Sequence, residues 1–362
     1  MKSLVPEHIE TLQPYVPGKP IEETEREYGI TGVIKLASNE NPLGPSPLAR
    51  EAIESAARQV HLYPDGSSYF LVQRLASFLG VDPGRVFVGS GSNEIIELLI
   101  RTFITGDDEA LLCAGSFLMY KVSLQSHGRR FVEVPMREGF RYDLEAMAAA
   151  LTPRTRMVFL ANPDNPTGTA FSRAELERFL ERVPPETFVV LDEAYFEYVR
   201  WSEYPDGLDY VQQRPNVVVL RTYSKIYGLA GLRLGYGVMQ PDVVDYLNRT
   251  RMPFNVSSVA QAAGVAALDD QEHVRTTRET AWRELDYVTP QLRALGITVP
   301  DAHGNFVFAS LGRPALPVFE QLLRRGIITR PVPGYGFPDA LRISVGLRAH
   351  NERLVAALKE IL

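Results

Sequence analysis

The sequence lacks the residue types that several classes of binding site require. It contains a single cysteine, Cys113, which excludes an intrachain disulfide and any cysteine-cluster zinc or iron–sulfur site. The six histidines are scattered along the chain, so a metal hydrolase is disfavoured and no bound metal is expected. Basic residues do not predominate, since 38 lysines and arginines stand against 44 aspartates and glutamates. A nucleic-acid partner would need a basic face and is therefore not expected.

Long hydrophobic runs are also missing. No uncharged apolar run approaches the roughly 18 residues of a transmembrane helix, and residues 1–10 lack the apolar core of a signal peptide. We therefore predict a cytoplasmic protein without membrane contact. The 362 residues, of which 45% are apolar, suffice for two domains or one large α/β unit.

Short β-rich runs alternate with amphipathic stretches from residue 46 to about residue 252. The predicted strands are 86–89, 109–113, 131–134, 156–160, 187–191, 217–221 and 234–239, several of them continuous apolar runs typical of strands buried on both faces. Helix-like segments lie at 93–102, 142–151 and 172–183, the last opening with a capping box of Ser172 and Glu175. The alternation predicts an α/β fold, with a mostly parallel sheet and helices on both faces.

The pattern changes on either side of this segment. Residues 1–45 are rich in proline and glutamate and show little helical periodicity, which predicts an arm with at most a partial strand at 33–36. After Pro253 come a helical stretch over 257–295, broken near 269–271, and then a strand, a helix and a strand at 305–309, 316–325 and 341–345. We predict an N-terminal arm (1–45), a large domain (46–252) and a smaller α+β domain (253–362), with a cleft between the domains.

Chemically capable residues follow several predicted strands, at the edge where open α/β sheets bind ligands. Lys225 is either a partly desolvated amine nucleophile or part of a solvated turn. Asp192 either pairs with a protonated ring nitrogen or caps a helix. Asn165 lies in a rigid turn, and Gly89-Ser-Gly-Ser-Asn-Glu94 offers backbone N–H groups to an anion at a helix start. An amine, a carboxylate, an amide and a phosphate cradle are what a phosphorylated aromatic aldehyde requires.

The chain resembles the fold-type I pyridoxal-phosphate aminotransferases over nearly its whole length, and specifically their histidinol-phosphate aminotransferase branch. Asn165-Pro-Thr-Gly168 and Thr222-Tyr-Ser-Lys225 match the wide group, whereas Gly334-Tyr-Gly-Phe-Pro338 and Leu341-Arg-Ile-Ser-Val-Gly346 are more particular to the branch. The resemblance implies a large mostly parallel-sheet domain plus a smaller α+β domain, a pyridoxal 5'-phosphate cofactor and a homodimer with shared active sites. It also implies amino transfer from L-histidinol phosphate to 2-oxoglutarate, in histidine biosynthesis.

The resemblance assigns roles around the cofactor. Lys225 would bind the cofactor aldehyde and later carry the proton between the substrate Cα and the cofactor C4′, while Asp192 would pair with the ring nitrogen. Asn165 and Tyr195 would hydrogen-bond the phenolic oxygen, and Phe117 would stack on the ring unless it is only a core residue. The phosphate would be surrounded by Ser90, Gly91, Ser92, Ser224 and Arg233, with Thr222 beside Lys225 and with Tyr63 of the partner subunit.

Three residues are assigned to the substrate in the same way. Arg342 lies in an apolar strand pattern, where an unpaired guanidinium would be costly, and would take the α-carboxylate of the acidic substrate. Arg330 would take the phosphate or the distal carboxylate, a surface ion pair being the alternative. Tyr15 would reach the substrate phosphate across the dimer interface, unless it is a packing anchor of the arm.

Other functions stay open from the sequence. An aromatic amino acid aminotransferase or a threonine-phosphate decarboxylase shares the fold and cofactor, and spacing does not show which Cα bond is held perpendicular to the ring. A non-catalytic binding module of this fold would be expected to have lost the chemical residues, which are all present. An NAD-dependent dehydrogenase is disfavoured because Glu94 occupies the third glycine position of its fingerprint.

Overall fold

The computed structural model describes residues 3–15 and 17–362. Its helices are α1 (Glu7–Glu10), α2 (Ile21–Tyr28), α3 (Pro47–Ala56), α4 (Tyr69–Leu79), α5 (Ser92–Phe103), α6 (Leu118–Ser126), α7 (Leu144–Ala149), α8 (Arg173–Leu180), α9 (Leu208–Val211), α10 (Pro241–Thr250), α11 (Ser258–Asp269), α12 (Gln271–Ala294), α13 (Ala315–Arg324) and α14 (Arg348–Ile361). Its strands are β1 (Ile34–Lys35), β2 (Val86–Gly89), β3 (Glu109–Cys113), β4 (Arg130–Val134), β5 (Thr155–Ala161), β6 (Phe188–Asp192), β7 (Val217–Thr222), β8 (Gly235–Val238), β9 (Phe306–Ser310), β10 (Ile327–Ile328), β11 (Arg330–Val332) and β12 (Phe337–Ser344). None of the helices in these described ranges has the length and apolar character needed to cross a bilayer.

Seven strands form the central sheet, in the order β2-β8-β7-β6-β5-β3-β4. All neighbours from β7 to β4 pair in parallel, and only β8 runs against its two neighbours. Its central strands β5, β6 and β7 are buried nearly end to end, as their continuous apolar sequences predict. The predicted α/β fold with a mostly parallel sheet is confirmed.

The topology brings four strand ends to one edge of this sheet. In β5, β6 and β7 the last residues are Ala161, Asp192 and Thr222, and parallel strands end on the same side. Because β8 reverses direction between β7 and β2, the end of β2 at Gly89 faces that edge too, paired with Gly235. The segments that follow these strands therefore surround one space.

Two apolar clusters cover opposite faces of the sheet. Alternate residues of β6 and β7 belong to different clusters, Val190 and Leu220 on one face and Leu191 and Val219 on the other. This period of two means that consecutive residues at the strand ends also point to opposite faces.

Residues after 300 build a second, antiparallel sheet in the order β11-β12-β9. Its register places Arg330 of β11 directly opposite Arg342 of β12. The predicted break in the preceding helical stretch is confirmed, because Asp270 ends α11 and caps α12 by accepting from the His273 N–H at 3.1 Å.

The N-terminal segment differs from the sequence expectation of little helix before residue 46. It contains α1 and α2, and its strand β1 is only two residues long and pairs with β10. Helix α2 starts after Pro20 and ends at Gly29 in the left-handed conformation (φ 66°). Hydrophobic periodicity does not predict α2, because its apolar residues Ile21 and Tyr28 stand at its two ends, with glutamates between them. Tertiary packing of those two residues on a small cluster around Leu323 supplies what the local pattern lacks.

Candidate active site

Lys225 lies just beyond β7, beside a cavity at the sheet edge. Its Nζ donates to the Ser38 carbonyl at 3.0 Å and lies 5.9 Å from the centre of the Tyr195 ring. Burial, followed by the positive charge of Arg342, lowers the pKa of Lys225 from 10.5 to about 7. A substantial fraction of this amine is therefore neutral near pH 7, as a nucleophile or a general base needs to be.

Asp192 ends β6 on the cavity side of the sheet. Its Oδ2 accepts from the Tyr120 hydroxyl at 2.8 Å, whereas its buried Oδ1 has no hydrogen-bond partner among the described residues. Burial raises the pKa of Asp192 to about 6, although the hydrogen bond from Tyr120 opposes the shift. An unpartnered buried carboxylate oxygen is costly, so the site is arranged for a ligand that brings a donor or a positive charge.

Arg342 reaches the same cavity from the second sheet. Its Nη1 donates to Asn165 Oδ1 at 2.6 Å and its Nη2 to the Ala37 carbonyl at 2.5 Å, while Nε is buried without a partner among the described residues. Tyr195 lies nearby, and its hydroxyl accepts from Asn39 Nδ2 at 2.9 Å. Burial raises the pKa of Tyr195 to about 12, so it stays a neutral hydroxyl that can donate a hydrogen bond.

At the other end of the cavity, the backbone before α5 lies close to the guanidinium of Arg233. Gly91 precedes α5 with φ 76°, and a Cβ at this position would stand 2.6 Å from Arg233 Nη2. Arg233 Nη1 donates to Ser224 Oγ at 3.3 Å. A Cβ on Gly235 would come within 2.4 Å of the Ser92 nitrogen, so glycine is required there for β8 to approach the loop. No side chain in the described part of the protein caps the start of α5, which leaves its first N–H groups and Arg233 facing an anion position.

The cavity has a volume of about 210 Å³ and brings most of the predicted site residues together. Those that line it are Tyr15, Ser92, Phe117, Asn165, Asp192, Tyr195, Thr222, Ser224, Lys225, Arg233, Arg330 and Arg342. Ser90 and Gly91 directly precede Ser92 in the sequence, in the loop before α5. Tyr63 lies elsewhere, on the surface.

The donor set fits pyridoxal phosphate. The free Oδ1 of Asp192 matches a protonated ring nitrogen, and the uncapped start of α5 with Arg233 matches a phosphate dianion. Phe117 supplies an apolar ring beside Tyr120, with the ring centres 5.3 Å apart. The amine of Lys225 is the nucleophile that an aldehyde requires.

Comparison with known proteins decides the family. The model of the family "Aminotransferase class I and II" matches residues 31–358. A histidinol-phosphate aminotransferase of Anaeromyxobacter sp. (strain Fw109-5) is 58% identical over 99% of both chains, and that of Moorella thermoacetica is 49% identical over 98% of this chain and 92% of the relative. The chain belongs to the class I and II aminotransferases, within the histidinol-phosphate aminotransferase family.

A solved structure of this aminotransferase family agrees over the full length. The histidinol-phosphate aminotransferase from Sinorhizobium meliloti, in complex with pyridoxal-5'-phosphate, has a TM-score of 0.91 at 30% identity and covers 100% of this chain and 98% of that one. The resemblance drawn from the sequence motifs is therefore confirmed, and an NAD-dependent dehydrogenase is excluded.

Two residues assigned to the substrate lie together at the mouth of the aminotransferase cavity. The Arg330 guanidinium stands 5.3 Å from the centre of the Tyr15 ring, and Tyr15 is 43% exposed. Tyr15 lines the cavity of its own chain, because its ring packs against Arg330 of the same chain, whereas the sequence prediction placed it across a dimer interface. The position of the pair suits contact with the outer part of a substrate, whereas Arg342 lies at the buried end.

Several polar residues of the site were not singled out from the sequence. Tyr120 holds Asp192, Asn39 holds Tyr195, and Ser38 supplies the carbonyl that accepts from Lys225. Asn93 and Tyr335 also line the cavity. A hydrogen bond across 72 or 156 residues of sequence leaves no local pattern, so the sequence around Tyr120 and Asn39 does not predict these contacts.

Proposed function

We propose that this chain catalyses the transfer of the amino group of L-histidinol phosphate to 2-oxoglutarate, giving imidazole-acetol phosphate and glutamate, with pyridoxal 5'-phosphate as cofactor. The identity of 58% over the full length supports the substrate class. The observation that carries the chemistry is the partly buried amine of Lys225 in one cavity with a carboxylate oxygen of Asp192 that has no partner among the described residues.

The proposed roles of the chain's own residues follow from their contacts. Bound pyridoxal phosphate supplies an electron sink for the charge left when a Cα proton departs. Lys225 Nζ, with its pKa lowered to about 7, accepts that proton and returns it. Asp192 Oδ1 holds the proton on the ring nitrogen, and Phe117 packs against the ring. Tyr195 and the Asn165 amide bind the phenolic oxygen, with Thr222 beside Lys225.

The phosphate of the cofactor is proposed to lie at the start of α5. There the loop of Ser90, Gly91 and Ser92 leads into the helix, whose first backbone N–H groups, from Ser92 onward, face the anion, while Ser224 and Arg233 close the other side. The bond between Arg233 Nη1 and the Ser224 hydroxyl fixes both groups before the anion arrives.

Two arginines and a tyrosine are proposed to bind the substrates. Arg342 sits 6% exposed at the buried end and takes the α-carboxylate of glutamate or 2-oxoglutarate. Arg330 and Tyr15 at the mouth take the phosphate of histidinol phosphate or the distal carboxylate. Two cationic forks in one cavity meet both demands, since the same site must accept a phosphomonoester and a dicarboxylate in turn.

We also propose a homodimer in which Tyr63 reaches the cofactor phosphate of the other subunit. Tyr63 is 84% exposed and stacks on Phe254 at 4.8 Å, far from being a core residue. Other large apolar side chains near Tyr63 and Phe254 in the sequence are also exposed: Val60, Leu62, Tyr69, Phe70 and Met252. Exposed apolar surface favours a protein–protein contact where such residues adjoin. We propose in addition that the chain is divided into an arm (1–45), a large domain (46–252) and a small domain (253–362). We also propose a cytoplasmic location, which suits an enzyme of phosphorylated metabolites.

The test is the absorption spectrum of the cofactor-loaded protein, titrated separately with L-histidinol phosphate, L-phenylalanine and L-threonine phosphate. We expect histidinol phosphate to convert the cofactor to its amine form at far lower concentration than phenylalanine. A preference for phenylalanine would make the chain an aromatic transaminase, and release of carbon dioxide from threonine phosphate would make it a decarboxylase. A Lys225→Ala variant is the matched control and should bind cofactor without this conversion.

A further inference from the structure

Outside the cavity, the carboxylate of Glu94 is bound to the loop that precedes α5. Its Oε2 accepts from the backbone N–H of Ser90 at 2.5 Å and from Asn255 Nδ2 at 2.8 Å. Glu94 stands in the first turn of α5, where a carboxylate is favourable for the helix, but it reaches back beyond the first helical residue. It therefore fixes the backbone just before Gly91.

Asn255 connects this carboxylate to a second segment. Its Nδ2 also donates to the Val88 carbonyl at 3.3 Å, and its Oδ1 accepts from Arg251 Nη1 at 2.8 Å. Arg251 Nη2 donates in turn to the Gly66 carbonyl at 2.6 Å. A continuous path of hydrogen bonds thus runs from the loop before α5 to the loop that carries Tyr63.

The position of Glu94 needs a reason, because a carboxylate close to a phosphate position repels the anion. The contacts give one. The loop holds Gly91 at φ 76°, and the N–H groups at the start of α5 are useful to an anion only if the loop keeps that course. Ordering the loop in advance removes an entropic cost from binding, and the donors from Ser90 and Asn255 offset the charge of the carboxylate.

We propose that Glu94, held by Asn255, which Arg251 binds in turn, is a positioning residue for the cofactor phosphate. It sets the backbone of Ser90 and Gly91 before the cofactor binds. This inference rests on the proposed function, because it takes the phosphate to lie at the start of α5. Since Arg251 also holds Gly66, the same path orients the loop of Tyr63.

The experiment measures the dissociation constant of pyridoxal phosphate from the full-length cofactor-free protein, by absorption titration. Glu94→Ala is expected to weaken binding about tenfold, as the loss of a charge-assisted hydrogen bond would. Glu94→Gln is expected to bind within about threefold of the unaltered chain, because its amide oxygen still accepts from both donors. Asn255→Ala removes the side-chain partner of Glu94, should weaken binding in the same sense, and serves if Glu94→Ala does not fold.

A matched control and a second ligand separate positioning from general damage. Asn248→Ala removes a contact to Arg251 Nε at 2.8 Å without touching Glu94, and is expected to change the constant by less than about twofold. Pyridoxal without its phosphate should bind Glu94→Ala as well as it binds the unaltered chain.

The outcomes are distinct. Unchanged or tighter binding of pyridoxal phosphate by Glu94→Ala, or an equal loss for pyridoxal, would overturn the inference and leave the proposed function standing. Failure of the unaltered chain to bind pyridoxal phosphate at all would contradict the proposed function and this inference with it.

Discussion

Two neighbouring carboxylates, Asp192 and Glu193, lie on opposite faces of one sheet edge and have opposite surroundings. Both are buried, at 4% and 2% exposure. Glu193 uses both oxygens, since Oε1 accepts from the Gly207 N–H at 2.8 Å and Oε2 from Arg221 Nε and Nη2 at 3.0 and 2.8 Å. Asp192 has one oxygen bound by Tyr120 and one without a partner among the described residues.

The difference shows that burial alone does not mark a functional acid. The pair of Glu193 and Arg221 is complete in itself and ties the ends of β6 and β7 together, with Asp206 as a further acceptor for Arg221 at 2.7 Å. Asp192 is incomplete, and it lines the cavity. We infer that the face of the sheet edge that carries Glu193 and Arg221, the closed face, serves stability. The face that carries Asp192 and the cavity, the open face, serves chemistry.

The largest effect is expected from Lys225→Ala on the open face. Loss of the amine removes both the attachment point and the base, so kcat/KM should fall by at least about 10⁴-fold. The unfolding free energy of the cofactor-free protein should not decrease, because the amine that is removed is partly desolvated in the folded state. Steady-state kinetics and urea unfolding measure the two quantities. Activity within tenfold of the unaltered chain would remove Lys225 from the chemistry.

Asp192→Asn should lower kcat/KM by on the order of 10²–10³-fold, because an amide cannot hold the proton on the ring nitrogen. The stability of the cofactor-free protein should stay the same or rise, since a buried charge without a full set of partners disappears. Kinetics with histidinol phosphate and urea unfolding check both parts. A large loss of stability would show that Asp192 is structural like its neighbour.

Glu193→Gln on the closed face should give the reverse result. Removal of one partner leaves Arg221 buried with only Asp206, which should cost about 3 kcal/mol of unfolding free energy. Activity at low temperature should fall far less than in Asp192→Asn. Asp245→Asn, which breaks an exposed pair with Arg249, is the control and should cost less than about 1 kcal/mol.

The sequence allowed the open face to be predicted better than the closed one. Lys225, Asp192 and Asn165 each follow a continuous apolar run, and the rule that parallel strands end at one edge is enough to bring such residues together. Glu193 and Arg221 sit within or beside the same runs, but nothing in a linear pattern shows that they meet across two strands, 28 residues apart. Their pairing depends on the register of β6 against β7.

Two further features of the structure cannot be predicted from the local sequence pattern. Helix α2 forms because its terminal apolar residues pack on a distant cluster, which is a tertiary effect. The hydrogen bond of Tyr120 to Asp192 is equally invisible to local pattern, because the two residues lie 72 positions apart in the sequence. Cavity residues could be predicted where the chemistry requires a residue type that is unusual at the end of a buried strand. They could not be predicted where an ordinary residue only hydrogen-bonds to such a residue.

The pH dependence of stability offers a further test of the face that carries Asp192 and Lys225. Burial lowers the pKa of Lys225 to about 7 in the folded state, against 10.5 when unfolded. Between these values the unfolded chain binds more protons, so the unfolding free energy contributed by Lys225 rises with pH by up to about 1.4 kcal/mol per unit. Below pH 7 both states are protonated and the contribution is constant.

The measurement compares the cofactor-free chain with Lys225→Met by urea unfolding between pH 7 and pH 10. The stability advantage of the methionine variant should be largest at pH 7 and shrink as the pH rises. A constant difference would mean that the amine is charged in the folded state throughout this range.

The smallest effect is expected from Tyr120→Phe, which removes the hydroxyl that donates to Asp192 Oδ2. The ring still packs on Phe159, at 4.8 Å between centres, so the loss is that of one hydrogen bond, about 1 kcal/mol or a fewfold to tenfold in kcat/KM. Because that hydrogen bond lowers the pKa of Asp192, its removal should move the acidic limb of the pH–rate profile to higher pH. An unmoved limb with the same loss of rate would assign Tyr120 to packing, and the free oxygen of Asp192 would then owe its position to the strand alone.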